Sequence, residues 1–439
     1  MKKILALILA LVMIFIFASC TADSGKKQLA LAANPIEVNY SDSQQDDYVE
    51  FLDKLDAFAA KLTYEVYADS NKQSNICISP VSVYMALALA TECADGETRD
   101  EILNAVGVTY DEVKNFTKVL YSVCNQEFYY RSGVTGEKEV LAFEELVNSI
   151  WVDKRATLNE DGINNLANNY NCDLFSVSFK NGEGTKAINE YIEEKTHGII
   201  DGDIELSPET LITLINTFYL KEVWNGMGGD LKFTEEAYDF KNADGSITNT
   251  KLLYGYYANG KIYEGEGYTS FYTRTNNGFD IKFIVPTDGH TLDEVFTTEN
   301  IYTINNLGDY DYVDEEKELA HVTRVMFPKY KASFDDDIAK ILENDFGIND
   351  LFYLGECDFS NVTDEQIACD GVIHKCSIEV TEKGIEGAAV TVMATYGGEH
   401  VFDNYEKVYH DYIVDRAFGF VLTDSYGAVL FSGVVNSVN

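Results

Sequence analysis

The sequence predicts a single mixed α+β domain, on three observations. Helical periodicity dominates the early part of the chain, strand and hairpin signals dominate from about residue 230, and no linker or internal repeat divides them. Val49, Leu52, Leu55, Ala59, Leu62 and Val66 recur at helical spacing, so 48–68 is expected to be an amphipathic helix. Asn75 to Pro80 reads as a short apolar strand stopped by proline. Ser79 and Ser82 flank the start of a second helix through Met85, Leu87 and Leu89. Thr98 with Glu101 three residues on has the pattern of a capping box and predicts a third helix. Residues 141–152 and 211–224 read as core strands. Asp244-Gly245 and Asn259-Gly260 are hairpin turns, and 279–285 is an apolar strand. An acidic loop over 309–318 precedes a return to helix over 334–351. The chain closes with a hairpin, 418–422 and 428–432, turning at Asp424 to Gly427.

The N-terminus reads as an export signal rather than fold. Lys2 and Lys3 precede an apolar run from Ile4 to Ala18, too short for a membrane span of ~20 residues. Phe17-Ala18-Ser19-Cys20 resembles a bacterial lipobox, with Phe17 in place of the usual large aliphatic, which implies lipidation of Cys20, cleavage before it, and a cell-surface or secreted location; the alternatives are ordinary cleavage near Ala18 and an uncleaved anchor. The expected divisions are a signal over 1–20, a flexible acidic tether over 21–47 and the folded domain over 48–439.

Charge excludes one class of partner. The net charge is −40, and loss of Lys2 and Lys3 leaves 31 basic against 73 acidic residues, or −42. Nucleic acid demands a basic surface, so none is expected, and membrane contact is expected only through the lipid anchor. Beyond Cys20, seven cysteines remain, an odd number without C-x-x-C spacing. Several lie in apolar surroundings, so they read as buried thiols rather than a disulfide frame.

Catalytic signatures are missing. The sequence holds no G-x-S-x-G elbow and no H-E-x-x-H helix. Gly255 to Lys261 fits a phosphate-loop pattern, but Ile262 stands where the metal-binding hydroxyl belongs. Asp309, Asp311 and Asp314 lack the glycine of a calcium loop. None of the six histidines pairs with another at metal-ligand spacing, and His374, opening an apolar strand, reads as a hydrogen-bonded core residue. No metal or cofactor is expected, and no catalytic residue.

One segment stands out. After the strand-like run His374 to Thr381 come Glu382-Lys383-Gly384-Ile385-Glu386-Gly387-Ala388-Ala389. Gly387 to Gly398 is then twelve consecutive uncharged residues where 24% charge predicts about three. Small residues at its start, β-branched ones in its middle and no proline suit a segment able to add to a sheet as a strand.

Residues 382–389 resemble the hinge of the serpin reactive-centre loop. Asn75 to Ser82 resembles that family's N-x-x-x-S-P-x-S element. Leu214 to Trp224, with Asn216, resembles its central-sheet strand. Asp415 to Phe420 and Leu430 to Gly433 resemble its C-terminal signature. The resemblance implies three β-sheets, eight or nine helices and a loop, about 382–415, exposed for attack by a target protease. It implies a monomeric single-use inhibitor that traps a serine protease as an acyl complex when the cut loop inserts into the central sheet. Ser79, Ser82, Asn216 and His374 would form a hydrogen-bonded shutter, with Trp224 at the breach where insertion starts.

The segment departs from the family in two ways. Ile385 stands where inhibitory members usually carry Thr or Ser, and Gly387 replaces a usual Ala. Counting seventeen residues from Glu382 places the cut after Gly398, whereas counting back from Phe418 places it after Glu406. Insertion as far as Glu406 would turn Glu399 and Asp403 into the core, costing several kcal/mol each. The cut is therefore expected near Gly398, with Tyr396, Gly397, Gly398, Glu399, Val401 and Phe402 as the cleavage region. Those residues suit an elastase- or chymotrypsin-like protease. The alternatives are a non-inhibitory surface binding protein and a cysteine-protease inhibitor.

Overall fold

The computed structural model describes residues 26–30, 42–131, 138–200, 202–224, 231–259, 262–307, 313–314, 319–369, 371–385 and 406–438. Cys20, the hinge residues Glu386 to Ala389 and the whole expected cleavage region from Tyr396 to Phe402 lie outside them. So do 309–312 and 315–318, most of the expected acidic loop.

In chain order the main strands are β1 Lys27–Ala30, β2 Ile76–Ile78, β3 Glu127–Arg131, β4 Lys138–Asp153, β5 Cys172–Val177, β6 Ile212–Val223, β7 Leu252–Asn259 and β8 Tyr268–Arg274. They continue with β9 Asp280–Pro286, β10 Leu319–Pro328, β11 Tyr330–Asp337, β12 Ile373–Val380, β13 Gly384–Ile385, β14 Glu406–Ile413, β15 Phe418–Thr423 and β16 Val429–Val435. The helices that matter here are α1 Asp42–Asp69, α2 Pro80–Cys93, α3 Gly96–Val106, α4 Tyr110–Val123, α5 Glu160–Asn169 and α6 Glu183–Lys195. Three short ones follow, α7 Leu292–Val295, α8 Thr298–Asn305 and α9 Ala339–Phe346, making nine α-helices among the described residues.

Three sheets carry the fold. The largest runs β1-β5-β4-β6-β13-β12-β11, with β3 on β4. The second runs from 263–264 through β8, β9, β15 and β16 to β2. The third joins 313–314, β10, β7 and 232–233, with β14 added parallel to β10. The closing hairpin of the second sheet is buried along every residue of β15 and β16, as its continuous apolar sequence requires. Helix α2 is wedged between the first and second sheets. Its apolar character all round matches burial of all but Ala86. Pro80 at its first turn gives up an N–H that has no helical partner. On the other face of the large sheet α6 packs through Ile188, Tyr191 and Ile192 onto Trp151 and Phe175.

Several boundaries differ from the sequence expectation. Residues 27–30, expected in the tether, pair antiparallel with β5, and the Lys26 ammonium sits 5.0 Å from the Phe175 ring centre. The first helix begins at Asp42, not 48. The helix expected over 334–351 is confined to 339–346 because β11 pairs residue by residue with β12 from Tyr330↔Val380 to Asp337↔Ile373. Gly347, in the left-handed region at φ 73°, ends that helix. Thr98 and Glu101 do not cap α3, which starts at Gly96. Thr98 Oγ1 instead accepts from Asp358 N–H, and Glu101 accepts from Asn349 and Asp350 N–H, so both side chains hold a crossing loop. Reciprocal capping boxes fall instead at Thr109–Glu112 on α4 and at Thr291–Glu294 on α7.

Close backbone approach fixes β2 against β16. A Cβ on Gly433 would sit 1.9 Å from the Ile76 carbonyl oxygen. Gly433→Ala is therefore expected to lower stability by about 2–3 kcal/mol, seen as a fall in the urea midpoint.

Candidate functional site

β6 and β12 run in the same direction, and among the described residues they do not pair with each other. Between their C-terminal ends sits the two-residue β13, antiparallel to both. Gly384 pairs with Val223, Ile385 with Glu222, and Ile385 also with Val380. Below this wedge the strands part around two cavities. The upper, of about 220 Å³, is lined by Phe218, Leu220, Ile378, Ile385 and Phe431, with Thr196 to Ile200 over it. The lower, of about 340 Å³, is lined by Ala86, Ala90, Leu214, Asn216, Val372 and His374. The arrangement is a sheet with room for one more strand whose first two residues are already seated.

The wedge is held at its turn. Trp224 Nε1 donates to the Thr381 carbonyl at 2.7 Å, and its buried ring packs edge-on against Phe327. Leu231 N–H donates to the Glu382 carbonyl at 2.7 Å. Gly384 touches β6 so closely that a Cβ would fall 1.9 Å from the Glu222 carbonyl oxygen, so the position excludes any other residue without a shift. Ile385, which stands where inhibitory members usually carry Thr or Ser, is 1% exposed and already packed in the core.

Lower down, the four residues expected to form one network make two separate contacts on the first turn of α2. On the β6 side Ser82 donates to Asn216 Oδ1, and Asn216 Nδ2 donates to Asn148 Oδ1 at 2.7 Å. On the β12 side Ser79 N–H donates to His374 Nε2 at 3.1 Å. No bond joins Asn216 to His374 among the described residues, because the lower cavity separates their strands. Each wall of the gap is thus pinned to the same helix start, independently of the other.

Sequence reading missed Glu222. It lies beside the wedge, 1% exposed, and both its carboxylate oxygens accept from Asn277 Nδ2 at 3.0 and 3.1 Å. Burial raises its pKa to about 7 against the pull of the Asn277 and Thr275 hydrogen bonds. Glu144 on β4, diagonal to it, is raised to about 10 by burial, with Glu222 and Asp424 adding to the shift. The signal was available: Asn216, Phe218, Leu220, Glu222 and Trp224 alternate on one strand, and Glu222 falls between two core types, Leu220 and Trp224. Also missed was a cross-strand pair in the third sheet, His321 Nδ1 and His410 Nε2 at 2.8 Å. Among the described residues no three His, Cys, Asp or Glu side chains cluster to hold a metal.

A gap flanked by parallel strands, its hinge seated at the top, and two pinned walls below match the motif resemblance noted in the sequence, and comparison with known proteins decides it. The serpin (serine protease inhibitor) family model matches residues 53–438. The chain belongs to the serpin family. Among curated relatives, a serpin-like protein of Methanosarcina acetivorans is 25% identical, covering 89% of this chain and 88% of its own length. The alpha-1-antiproteinase of Ovis aries is 24% identical over 75% of this chain and 76% of its own. Among solved structures, the thermophilic serpin tengpin in its native state aligns at TM-score 0.69 and 21% identity, covering 94% of this chain and 100% of its own. Arabidopsis AtSerpin1 in its native stressed conformation aligns at 0.71 and 20%, covering 89% and 98%. Family and fold together imply a protein of protease-inhibitor type with a protease as partner.

The Glu222 environment makes a pH prediction. Its folded pKa lies above the ordinary value of about 4.3, so the folded serpin binds the extra proton between those limits. The group's cost is absent below about pH 4, grows as pH rises, and is complete above about pH 7. Glu222→Gln, which keeps the shape and removes the charge, is expected to raise the thermal midpoint at pH 8 and to leave it nearly unchanged at pH 4.5. Calorimetry at the two pH values measures the difference.

Proposed function

We propose that this serpin is a covalent, single-use inhibitor of elastase- or chymotrypsin-like serine proteases, cut near Gly398 and exported with Cys20 as its lipid anchor. The observation that carries the reading is the strand-wide gap between β6 and β12, begun at its top by Gly384 and Ile385.

Register gives the reading its detail. Ile385 stands opposite Glu222 on β6 and opposite Val380 on β12. A strand continuing downward in that register sets Thr391 opposite both Asn216 and His374, and Thr395 opposite Ile212, the first residue of β6. Opposed residues share a face, so Ile385, Gly387, Ala389, Thr391, Met393 and Thr395 would face the core, and none is charged. The Thr391 hydroxyl would arrive where the two walls are separately pinned and could bridge them. Register therefore supports a cut near Gly398. A cut after Glu406 fits less well, because Glu406 is already paired with Leu319 at the start of β14.

The chemistry asked of the serpin is mechanical. The protease serine attacks the loop carbonyl and forms an acyl bond. Seating the freed strand then gains backbone hydrogen bonds and apolar burial that carry the acyl-enzyme along the sheet before water can release it. No side chain of the serpin acts as acid, base or nucleophile in this scheme.

One observation keeps a second reading in view. Thyroxine-binding globulin in complex with thyroxine aligns at TM-score 0.67 and 20% identity, so the fold also serves a small-molecule binder. A non-inhibitory serpin would be cut without trapping. A cysteine-protease inhibitor would form its complex with a papain-like enzyme instead.

Incubation with pancreatic elastase or chymotrypsin is expected to give an SDS-stable complex and to release a fragment beginning at Glu399, 41 residues long. Cleavage with no complex and no rise in thermal stability would contradict the inhibitory reading. Thr391→Arg would bury an unpaired guanidinium between Asn216 and His374 at a cost of several kcal/mol. It is expected to turn the inhibitor into a substrate, cut at the same bond with the complex band lost on SDS gels.

A further inference from the structure

Two buried thiols meet behind one wall of the gap. Cys77 on β2 and Cys376 on β12 are 0% and 5% exposed, and both are free thiols. The Cys376 thiol donates to the Cys77 carbonyl oxygen at 2.8 Å, and the two thiols are close enough to influence each other's ionisation. The strands carrying them belong to different sheets, β12 to the first and β2 to the second.

His374 completes the cluster. Its Nε2 accepts the Ser79 N–H, so in the neutral ring the proton sits on Nδ1. His374 and Cys376, two residues apart, share the buried face of β12, and the imidazole favours ionisation of the thiol. Burial opposes ionisation of Cys376, but hydrogen bonds from Cys77 and His374 outweigh it and hold this thiol below its ordinary range. Burial and the neighbouring Cys376 push Cys77 the other way. Cys376 shares its strand face with His374, so in the scheme below it acts as the nucleophile and Cys77 as the resolving group. The lower cavity reaches His374, two residues from Cys376 on the same strand.

We propose that Cys77 and Cys376 are a redox-active pair that a peroxide-class oxidant converts to a disulfide, tying β12 to β2. The Cys376 thiolate attacks one peroxide oxygen and the O–O bond breaks. This leaves a sulfenic acid on Cys376 and a hydroxide that takes up the thiol proton as water. The Cys77 sulfur then attacks the sulfenic sulfur, the S–O bond breaks, and the hydroxyl leaves as a second water with the Cys77 proton. Two thiols lose two electrons and one hydrogen peroxide gains them. The bond would close a span of 299 residues and fix the β12 wall to the second sheet through the β2–β16 pairing.

The test needs no protease, so its failure is separate from failure of the inhibitory reading. The folded full chain is treated with hydrogen peroxide, denatured in iodoacetamide, digested and mapped by mass spectrometry. The expected product joins the peptides containing Cys77 and Cys376 with the loss of two hydrogens, and the thermal midpoint rises by several degrees, reversibly with dithiothreitol. Recovery of Cys77 and Cys376 both as alkylated thiols overturns the proposal. So does a cross-link that forms instead at Cys93, Cys357 or Cys369. A Cys77–Cys376 cross-link with no shift in midpoint overturns the pinning of β12. Cys77→Ala, whose Cys376 would go to sulfinic acid for lack of a resolving thiol, gives a second readout on the same map.

Discussion

The backbone pairing of Ile385 with Glu222 and Val380 closes the top of a gap that β6 and β12 leave open below it. Other features of the site follow from keeping that gap unfilled. Neighbouring strands normally satisfy one another's backbone groups. Here the two walls are held apart by what lies behind them, Ser82 gripping Asn216 on one side and the Ser79 amide gripping His374 on the other. Both grips come from the first turn of α2, a helix whose surroundings on nearly all sides are core. The helix cannot shift without disturbing two sheets at once, which makes it a rigid jamb for both walls.

The polar chemistry of the region is unusually deep. Glu222 and Glu144 are buried within one diagonal step on adjacent strands, each with its pKa raised by desolvation. Buried carboxyl groups of this kind subtract from stability wherever they ionise. Their position beside the wedge places that cost next to the closed top of the gap.

Much of the site was legible because it is written in short runs. Ser79, Ser82, Asn216, Trp224 and His374 each sit in a motif with local character, a proline-stopped strand or an alternating core strand, and the structure sets four of them in two contacts at the first turn of α2 and Trp224 at the turn of the wedge. What stayed illegible depends on pairing between distant segments. The approach of Cys77 to Cys376 spans 299 residues and that of His321 to His410 spans 89, and neither leaves a trace in local spacing. The extension of β11 over residues taken for helix has the same cause: β12, absent from any local window, supplies its hydrogen bonds. Thr98 and Glu101 carried a true local signal that a crossing loop diverted.

The far end of the loop is anchored as firmly as its hinge. β14 lies in eight successive pairs along β10, and Arg324 grips Asp411 with two nitrogens at 2.8 and 2.7 Å. A strand laid from Ile385 to Gly398 covers roughly 43 Å at ~3.3 Å per residue. The eight residue steps from there to Glu406 reach at most about 29 Å. An unbroken chain could descend fully only by unzipping β14 from its sheet, whereas a severed one descends at no such expense. Under the proposed inhibitory function the ladder of β14 would be the latch on the spring, and peptide-bond cleavage the event that makes it irrelevant.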